Sequence, residues 1–393
     1  MNRNPEPNSG NFELPQPSLD AIELSQWLIT KIVERIEQRG GVIGFDEYMQ
    51  MALYEPGLGY YMAGSTKLGA DGDFVTAPEI SELFGQCLAN QLSTVIQQGC
   101  PSAVLEFGAG SGRLCAQILE ALPELERYLI LDLSAELTQR QQSYLQQRLS
   151  EELFGKIEWL QQLPVGFNGI VLANEVLDAM PVHLVEKQDR WLELGIGFDG
   201  DRFHWCLLDP SAKLQAALTS LETRLGEFAP GYRTELNLNL VPWMQALADS
   251  GERVLALIID YGFEQAEYYA PGRSAGTLIC HYRHRVHDDP LVYPGLQDIT
   301  AFVDFDAAAD AAETAGFEPV GLVTQAEFLL ANGLLEVTES RAADCDERER
   351  ISLAQQVKTL TLPQEMGHKF KVLALQKGLD FSIRAMRRRG LRG

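Results

Sequence analysis

Apolar residues recur in two different patterns along the chain, and the pattern changes near residue 101. Within residues 20–39 they recur at every fourth position, which predicts a helix with one buried face. Gly40 and Gly41 end that pattern. From about residue 101, short unbroken apolar runs alternate with helical patterns, as is typical of a parallel sheet buried on both faces. The pattern therefore predicts an α/β fold that follows a helical N-terminal region.

Several apolar runs have the length of buried strands. Five of them are residues 104–107, 128–131, 157–160, 169–173 and 254–259. Two further runs, 317–323 and 370–375, flank a helical pattern at 325–361. Between the fourth and fifth runs, residues 183–208 alternate like a hairpin with its turn at Asp199-Gly200, and residues 211–225 predict a helix. Both of these segments are expected to be insertions.

Residues 53–78 are rich in glycine and aromatic residues and follow neither pattern. A loop of this length inside a compact domain is usually functional. Its Tyr60 and Tyr61 either close over a ligand or fix the loop to the core. At its end, Thr76 and Glu79 fit a Thr-x-x-Glu capping box, which predicts the start of a helix.

Composition and charge narrow the function classes. The 393 residues are 46% hydrophobic and carry a formal net charge of −23. An acidic surface repels nucleic-acid phosphates and anionic lipids, so we expect no nucleic-acid partner and favour basic partners. No run of about 18 apolar residues occurs, so no membrane insertion is expected. The exception to the acidity is the C-terminal end, where residues 384–393 contain five arginines and no acid.

Cysteine and histidine spacing gives no sign of a metal site. The six cysteines are scattered without a Cys-x-x-Cys pair, which is typical of reduced thiols. Together with the absence of a recognisable targeting segment, this predicts a cytoplasmic protein. His281, His284 and His287 recur at every third residue but have no carboxylate or cysteine at ligand spacing. The sequence therefore predicts no metal.

The clearest chemical feature is a glycine-rich turn directly after the first predicted strand. Gly108, Gly110 and Gly112 follow Glu106, with Ala109 between the first two glycines. Glycines at this place let the backbone approach a ligand at a helix N-terminus. A dinucleotide-binding turn needs Gly-x-Gly-x-x-Gly, and its third glycine is replaced here by Arg113. The turn, with Glu106, favours a ligand with a cationic amino-acid end.

Acidic residues follow the next strands. Asp132 lies 20 residues after Gly112, where a carboxylate commonly binds ribose hydroxyls, although it also suits a helix N-cap before Ser134. Together these features suggest the fold of class I S-adenosylmethionine-dependent methyltransferases. Further acids that suit the ends of strands are Glu175, Asp178 and Asp260, and Glu235 lies in an insertion.

Four segments in order resemble those of the MidA family of methyltransferases. They are GDFVTAPEIS at 72–81, LEFGAGSG at 105–112, NEVLDAMPV at 174–182 and DITAFVDF at 298–305. Shorter matching pieces extend the resemblance over roughly residues 40–376. The glycine turn alone would indicate only a superfamily, whereas the ordered set is specific. That family includes the mitochondrial assembly factor of respiratory complex I, a protein arginine methyltransferase.

The resemblance implies a Rossmann-like class I methyltransferase that uses S-adenosyl-L-methionine. Carried over by position, the glycine turn lines the cofactor site, Asp132 holds the ribose, and Asn174-Glu175 faces the transferred methyl group. The cofactor-binding set becomes Glu79, Glu106, Gly108, Ala109, Gly110, Gly112, Asp132 and Asn174, and the catalytic residues Glu175 and Asp178. For Glu79 the capping box explains the residue equally well.

The implied organisation is a flexible tail (1–19), a helical or lid region (20–100), a methyltransferase domain (101–380) and a basic tail (381–393). Insertions are expected at about 183–250 and 325–362. The expected acceptor is an arginine of a partner protein, a subunit of an NADH-dehydrogenase-type complex. Three alternatives remain open. The protein could be an assembly factor or chaperone that binds the cofactor without significant catalysis, or a small-molecule methyltransferase. The third is a nicotinamide-dependent oxidoreductase, and Arg113 in place of the third glycine argues against it.

Overall fold

The computed structural model describes residues 14–63 and 76–386. Most of the predicted N-terminal tail, part of the glycine-rich loop and the end of the arginine tail fall on residues 1–13, 64–75 and 387–393, which lie outside the described residues. So do the first four residues of the GDFVTAPEIS segment.

The strands of the described chain are as follows: β1 (Val42–Gly44), β2 (Ala103–Phe107), β3 (Arg127–Leu131), β4 (Ile157–Leu160), β5 (Gly169–Asn174), β6 (His183–Lys187), β7 (Trp191–Phe198), β8 (Phe203–Leu208), β9 (Arg233–Leu236), β10 (Val254–Phe263), β11 (Ile279–Tyr282), β12 (Arg285–His287), β13 (Asp298–Thr300), β14 (Val303–Asp304), β15 (Glu318–Thr324) and β16 (Phe370–Lys377).

The helices are α1 (Leu19–Gln38), α2 (Phe45–Tyr54), α3 (Ala77–Ile80), α4 (Glu82–Gln97), α5 (Arg113–Ala121), α6 (Ala135–Arg148), α7 (Glu151–Phe154), α8 (Ala212–Leu225), α9 (Leu240–Asp249), α10 (Gln265–Tyr268), α11 (Phe305–Thr314), α12 (Gln325–Ala331), α13 (Leu334–Ala343), α14 (Glu347–Thr361) and α15 (Met366–Lys369), with a 3₁₀ turn at Pro271–Arg273. None of the described helices is both long and apolar enough to cross a membrane.

The central sheet has the strand order β15-β16-β10-β5-β2-β3-β4, with the short β14 beside the end of β10. Strands β10, β5, β2, β3 and β4 are parallel, whereas β16 runs antiparallel between β10 and β15. The chain order reverses at β2, because β3 and β4 lie on one side of it and β5 and β10 on the other. Ligands of such sheets bind at the carboxyl ends of the strands at this reversal.

Alternate side chains of the central strands build two separate hydrophobic cores. Val104 of β2 points into a core formed with α4, α5 and α12, and the next residue, Leu105, into a core formed with α9 and α11. Both side chains are fully buried. Burial on both faces explains why these strands read as unbroken apolar runs in the sequence.

A second sheet is built around β7. Strand β8 lies along one side of it, β1 and β6 lie along the other, and β9 pairs with β6. Helices α1 and α2 pack here through Leu28, Ile32 and Phe45, and this core also includes residues of the small antiparallel sheet β12-β11-β13. The N-terminal region is thereby held against the inserted strands.

Most of the predicted elements are confirmed. The helix at 20–39, the seven strands, the turn at Asp199-Gly200 and the helix at 211–225 all occur. The helical pattern at 325–361 is confirmed as α12, α13 and α14. Two details were wrong. Residues 183–208 form three strands instead of two, because a further turn separates β6 from β7. The Thr76 side chain makes no capping hydrogen bond. The short helix α3 ends before Ser81, and the side chain of Ser81 caps the next helix, α4.

Candidate functional site

A cavity of about 720 Å³ opens at the carboxyl ends of β2, β3 and β5. It lies at the reversal of strand order, where the fold predicts a ligand. Most of the residues expected at the site line it: Glu79, Glu106, Gly108, Ala109, Gly110, Asp132, Asn174, Glu175 and Asp178. Gly112 does not line the cavity and instead lies behind the turn, where an added Cβ would be 3.2 Å from Leu145.

The glycine turn connects β2 to α5 through three left-handed residues. Gly108, Gly110 and Gly112 have φ angles of 58°, 54° and 85°. Side chains other than glycine are strained in this region, at a cost of roughly 1–2 kcal/mol per residue. At Gly108 an added Cβ would meet no atom within 4 Å, so the backbone conformation, and not lack of space, requires glycine there.

Glu106 provides a buried acidic group at the cavity wall. It is 3% exposed and accepts a hydrogen bond from the hydroxyl of Tyr128 at 2.8 Å. Burial raises its pKa to about 7; the Tyr128 hydrogen bond lowers this pKa in part and the charge of Asp132 raises it. A cationic ligand group in the cavity would favour the ionised form of Glu106.

The side chain of Gln141, which the sequence did not indicate, connects Asp132 to the glycine turn. The Gln141 amide of α6 donates to Asp132 Oδ2 at 2.9 Å and to the carbonyl of Gly110 at 3.0 Å. Its own carbonyl accepts from the Trp159 indole at 3.1 Å. Asp132 Oδ1 accepts from the amide of Ser134, and it is Ser134 that caps α6. No spacing rule marks a glutamine for this position, which explains why the sequence did not indicate it.

Asn174 ends β5 at the cavity. Its Nδ2 donates to Glu175 Oε1 at 3.2 Å. Its buried Oδ1 has no hydrogen-bond partner among the described residues. A buried acceptor left without a donor is costly, so this atom suits a donor group on a bound ligand.

Glu175 and Asp178 are the carboxyl groups that follow β5. Glu175 has a φ of 54°, an unusual conformation for a residue other than glycine and one that is found at functional sites. Burial raises the pKa of Glu175 to about 8, with a contribution from the charge of Asp178. Burial also raises the pKa of Asp178 to about 6, and a hydrogen bond from Tyr261 offsets part of this rise.

Asp260 does not line the cavity but holds the loop that does. Its Oδ2 accepts hydrogen bonds from the amides of Val176, Leu177 and Asp178 at 3.2, 3.0 and 3.2 Å. Burial, followed by the charges of Asp178 and Glu175, raises its pKa well above the ordinary value. Glu235, the other candidate acid, lies away from this cavity and accepts from the amides of Thr277 and Leu278.

Glu79 closes one side of the turn. It forms an ion pair with Arg113 at 2.7 Å and accepts a hydrogen bond from Ser111, and all three residues line the cavity. The capping-box explanation of Glu79 is therefore wrong, because its carboxylate is engaged with the start of α5 and not with the backbone of Thr76.

Tyr54, Tyr61 and Asp298 form a further wall of the cavity. The Tyr61 hydroxyl donates to Asp298 Oδ1 at 2.7 Å, and the Tyr54 hydroxyl to the carbonyl of Ala179 at 3.0 Å. The two rings stack with centroids 5.4 Å apart. Tyr60, in contrast, is 1% exposed and belongs to the core of the N-terminal region. Asp298 opens the DITAFVDF segment, so the sequence indicated the segment but not the role of this residue.

Strand order, glycine turn and acidic residue after β3 define the class I methyltransferases that use S-adenosyl-L-methionine. A family model of S-adenosyl-L-methionine-dependent methyltransferases, Methyltransf_28, matches residues 87–323. The chain belongs to this family, which is the MidA family indicated by its sequence segments.

The relatives cover nearly the whole chain. The Drosophila melanogaster protein named "Protein arginine methyltransferase NDUFAF7 homolog, mitochondrial" is 32% identical over 86% of this chain and 82% of its own. The mouse protein, named "Protein arginine methyltransferase NDUFAF7, mitochondrial", is 30% identical over 85% and 81%. A Burkholderia thailandensis crystal structure bound to S-adenosyl-homocysteine is 41% identical and has a TM-score of 0.88, covering 95% of this chain and 97% of its own. The cofactor of this chain is therefore S-adenosyl-L-methionine.

The cavity fits that cofactor in three respects. It offers a buried carboxyl group in Glu106, an unpartnered acceptor in Asn174 Oδ1 and a left-handed glycine turn. The carboxyl group of Glu106 suits the ammonium group of the cofactor, and Asn174 Oδ1 suits a second hydrogen-bond donor. The glycine turn lets the cofactor approach the backbone closely.

Proposed function

We propose that this enzyme methylates an arginine side chain of a partner protein. The observation that carries the proposal is the pair of carboxyl groups, the partly exposed Glu175 and the buried Asp178, in the cavity beside the glycine turn. Carboxylates bind a guanidinium through paired, charge-assisted hydrogen bonds. The relatives named protein arginine methyltransferases support the same acceptor.

For the cofactor we propose roles for the residues that line the cavity. Glu106, Asn174 and the turn at Gly108, Ala109 and Gly110 hold its amino-acid end, and Asp132 holds the ribose hydroxyls. Gly112 shapes the turn from behind, and Glu79 fixes the turn through Arg113 and Ser111. The cofactor supplies a methyl group activated on a sulfonium sulfur.

The protein's own task is to bring an unreactive nucleophile into position. A guanidinium keeps its proton up to a pKa above about 12, so its nitrogen reacts only when the positive charge is stabilised and the proton is accepted. Glu175 and Asp178 perform both tasks: they orient the group at the reaction distance of about 3–3.5 Å and receive the proton. Asp260 keeps the loop that carries them in place.

We further propose that the acceptor is a subunit of an NADH-dehydrogenase-type complex and that the reaction takes place in the cytoplasm. The family resemblance supports the first point. The net charge of −23 suits a basic acceptor segment, and the six unpaired cysteines suit a reducing compartment.

Transfer of radiolabelled methyl groups tests the proposal. The purified protein is incubated with labelled S-adenosyl-L-methionine and a lysate of cells that lack the gene, and labelled proteins are mapped by mass spectrometry. We expect labelled methylarginine, strongly reduced by E175Q and D178N. E158Q, which changes an exposed carboxylate paired with Arg127, is the matched control and should leave labelling unchanged. Label found only on small molecules would contradict a protein acceptor.

A second experiment separates an enzyme from a scaffold that only binds the cofactor. G110V places a branched side chain at a left-handed position of the turn and should abolish cofactor binding. In cells, it should abolish the effect of the enzyme on its partner complex. Full complementation by E175Q, with cofactor binding retained, would identify a scaffold instead.

A further inference from the structure

Three side chains that the methyltransferase site does not use converge at the edge of the second sheet. Asp46 lies in the first turn of α2, His183 begins β6, and Glu193 lies in β7. His183 Nδ1 is 2.7 Å from Glu193 Oε1 and 3.5 Å from Asp46 Oδ1. One oxygen or nitrogen of each residue lies within 4.8 Å of the other two, and no other group of histidine, cysteine or acidic side chains in the described parts of the chain converges in this way.

The charge of the group is unbalanced. Glu193 and Asp46 carry up to two negative charges, and a protonated His183 supplies one positive charge. Glu193 is 6% exposed, so its charge is only weakly screened by water. A divalent cation would balance the two carboxylates with a neutral imidazole.

Gly44 provides independent support. A Cβ at this position would be 2.4 Å from Asp46 Oδ1 and 3.2 Å from Glu193 Oε1. Its φ of −65° and ψ of 155° are ordinary for any residue, so the backbone does not require glycine. What glycine provides here is free space next to the two carboxylate oxygens.

We propose that Asp46, His183 and Glu193 bind one divalent transition-metal ion. In zinc sites the nitrogen and oxygen ligands lie about 2.0–2.2 Å from the metal, which places neighbouring ligand atoms about 3–3.5 Å apart. The measured separations from His183 Nδ1 need only small shifts to reach that range. One imidazole with two carboxylates suits zinc, manganese or cobalt better than magnesium or calcium, which prefer oxygen ligands alone.

The ion would fix helix α2 of the N-terminal region to the inserted strands β6 and β7. Helix α2 begins beside Asp46 and ends at Tyr54, which lines the methyltransferase cavity. Strand β6 begins at His183, two residues after Pro181 of the same cavity. The role is structural, since no ligand of the ion lines the cavity.

Metal titration of the full-length protein tests this site. After dialysis against a chelator, Zn²⁺ is titrated by calorimetry, with Mg²⁺ for comparison, and Co²⁺ is followed by its visible absorption. We expect saturable binding of one Zn²⁺ per chain and a higher melting temperature with Zn²⁺. D46N, H183Q and E193Q should each weaken binding by about tenfold or more. H204Q, which removes an exposed histidine of the neighbouring strand β8, should not.

A second variant covers the case in which the ligand variants do not fold. G44A keeps all three ligands and fills the space beside the carboxylates, so it should weaken Zn²⁺ binding while S-adenosylhomocysteine binding remains. Absence of saturable binding, or equal loss in H204Q, would overturn the proposal and leave a hydrogen-bonded ion pair. Binding that G44A and the ligand variants leave unchanged would overturn it as well.

Discussion

The backbone amide of Asp178 donates a hydrogen bond to the carboxylate of Asp260, 3.2 Å away. The same oxygen accepts from the two preceding amides, and the other oxygen accepts from the amide of Tyr261 at 2.9 Å. Asp260 thus joins the end of β10 to the loop that carries both proposed catalytic carboxyl groups. The hydrogen bonds that Asp260 accepts fix this loop, and the fixed loop can keep Glu175 in its left-handed conformation.

Replacing Asp260 should therefore impair catalysis without removing any group from the cavity. In D260N one end of the side chain becomes an NH₂ group, which faces backbone donors and cannot accept from them. We expect a loss of about 1–3 kcal/mol in the free energy of unfolding and a decrease of about tenfold or more in the methylation rate. Denaturant unfolding and single-turnover labelling measure the two effects. An unchanged rate in a destabilised variant would show that Asp260 does not position the loop.

Gln141 offers a test of cofactor binding alone. Its amide fixes Asp132 and the carbonyl of Gly110 in relation to each other, and its loss leaves both groups free to move. At about 1 kcal/mol for each of these two hydrogen bonds, Q141A should weaken S-adenosylhomocysteine binding by up to roughly 30-fold. Calorimetry measures this, with Q139A on the exposed side of the same helix as the control. A similar effect in both variants would indicate general loss of α6 stability.

The residues around the cofactor cavity differ in how far the sequence indicates them. Asp132 and the glycine turn follow from the strand-turn-helix pattern, because glycine and a carboxylate at fixed distances leave a local signal. Gln141 and Asp298 reach the cavity only through tertiary packing, so nothing in their sequence neighbourhood marks them. Helix α2 was also missed, although its sequence carries a helical signal. Its buried residues Phe45, Tyr48, Met49, Ala52 and Leu53 follow the spacing i, i+3, i+4, i+7 and i+8.

Tyr61 should affect the acceptor more than the cofactor. Its hydroxyl donates to Asp298, and the two residues lie on the wall of the cavity formed by the N-terminal region and β13. Y61F removes one hydrogen bond to a charged group, worth roughly 1.5–3 kcal/mol. We expect a higher KM for the protein acceptor with an almost unchanged Kd for S-adenosylhomocysteine. The reverse result would assign Tyr61 to the cofactor.

Acceptor binding should release protons near neutral pH. With a pKa of about 8, Glu175 is mostly protonated at pH 7 in the free enzyme. A guanidinium beside it favours the carboxylate, so the pKa falls and the proton leaves. Calorimetry of an arginine peptide in buffers of different ionisation enthalpy should show this release for the wild type and a smaller one for E175Q. Equal release by both proteins would contradict the assignment of the titrating group.

Stability of the ligand-free protein should fall as the pH rises from about 5 to 8. The pKa of Glu106 is raised from 4.5 to about 7 by burial, so the folded state holds a proton that the unfolded state has already lost. Because the folded state binds more protons in this window, each increase in pH favours unfolding. E106Q removes this contribution and should flatten the dependence of melting temperature on pH, whereas E158Q should follow the wild type. A steeper or unchanged dependence in E106Q would mean that Glu106 is already ionised in the folded protein, held by its hydrogen bond from Tyr128.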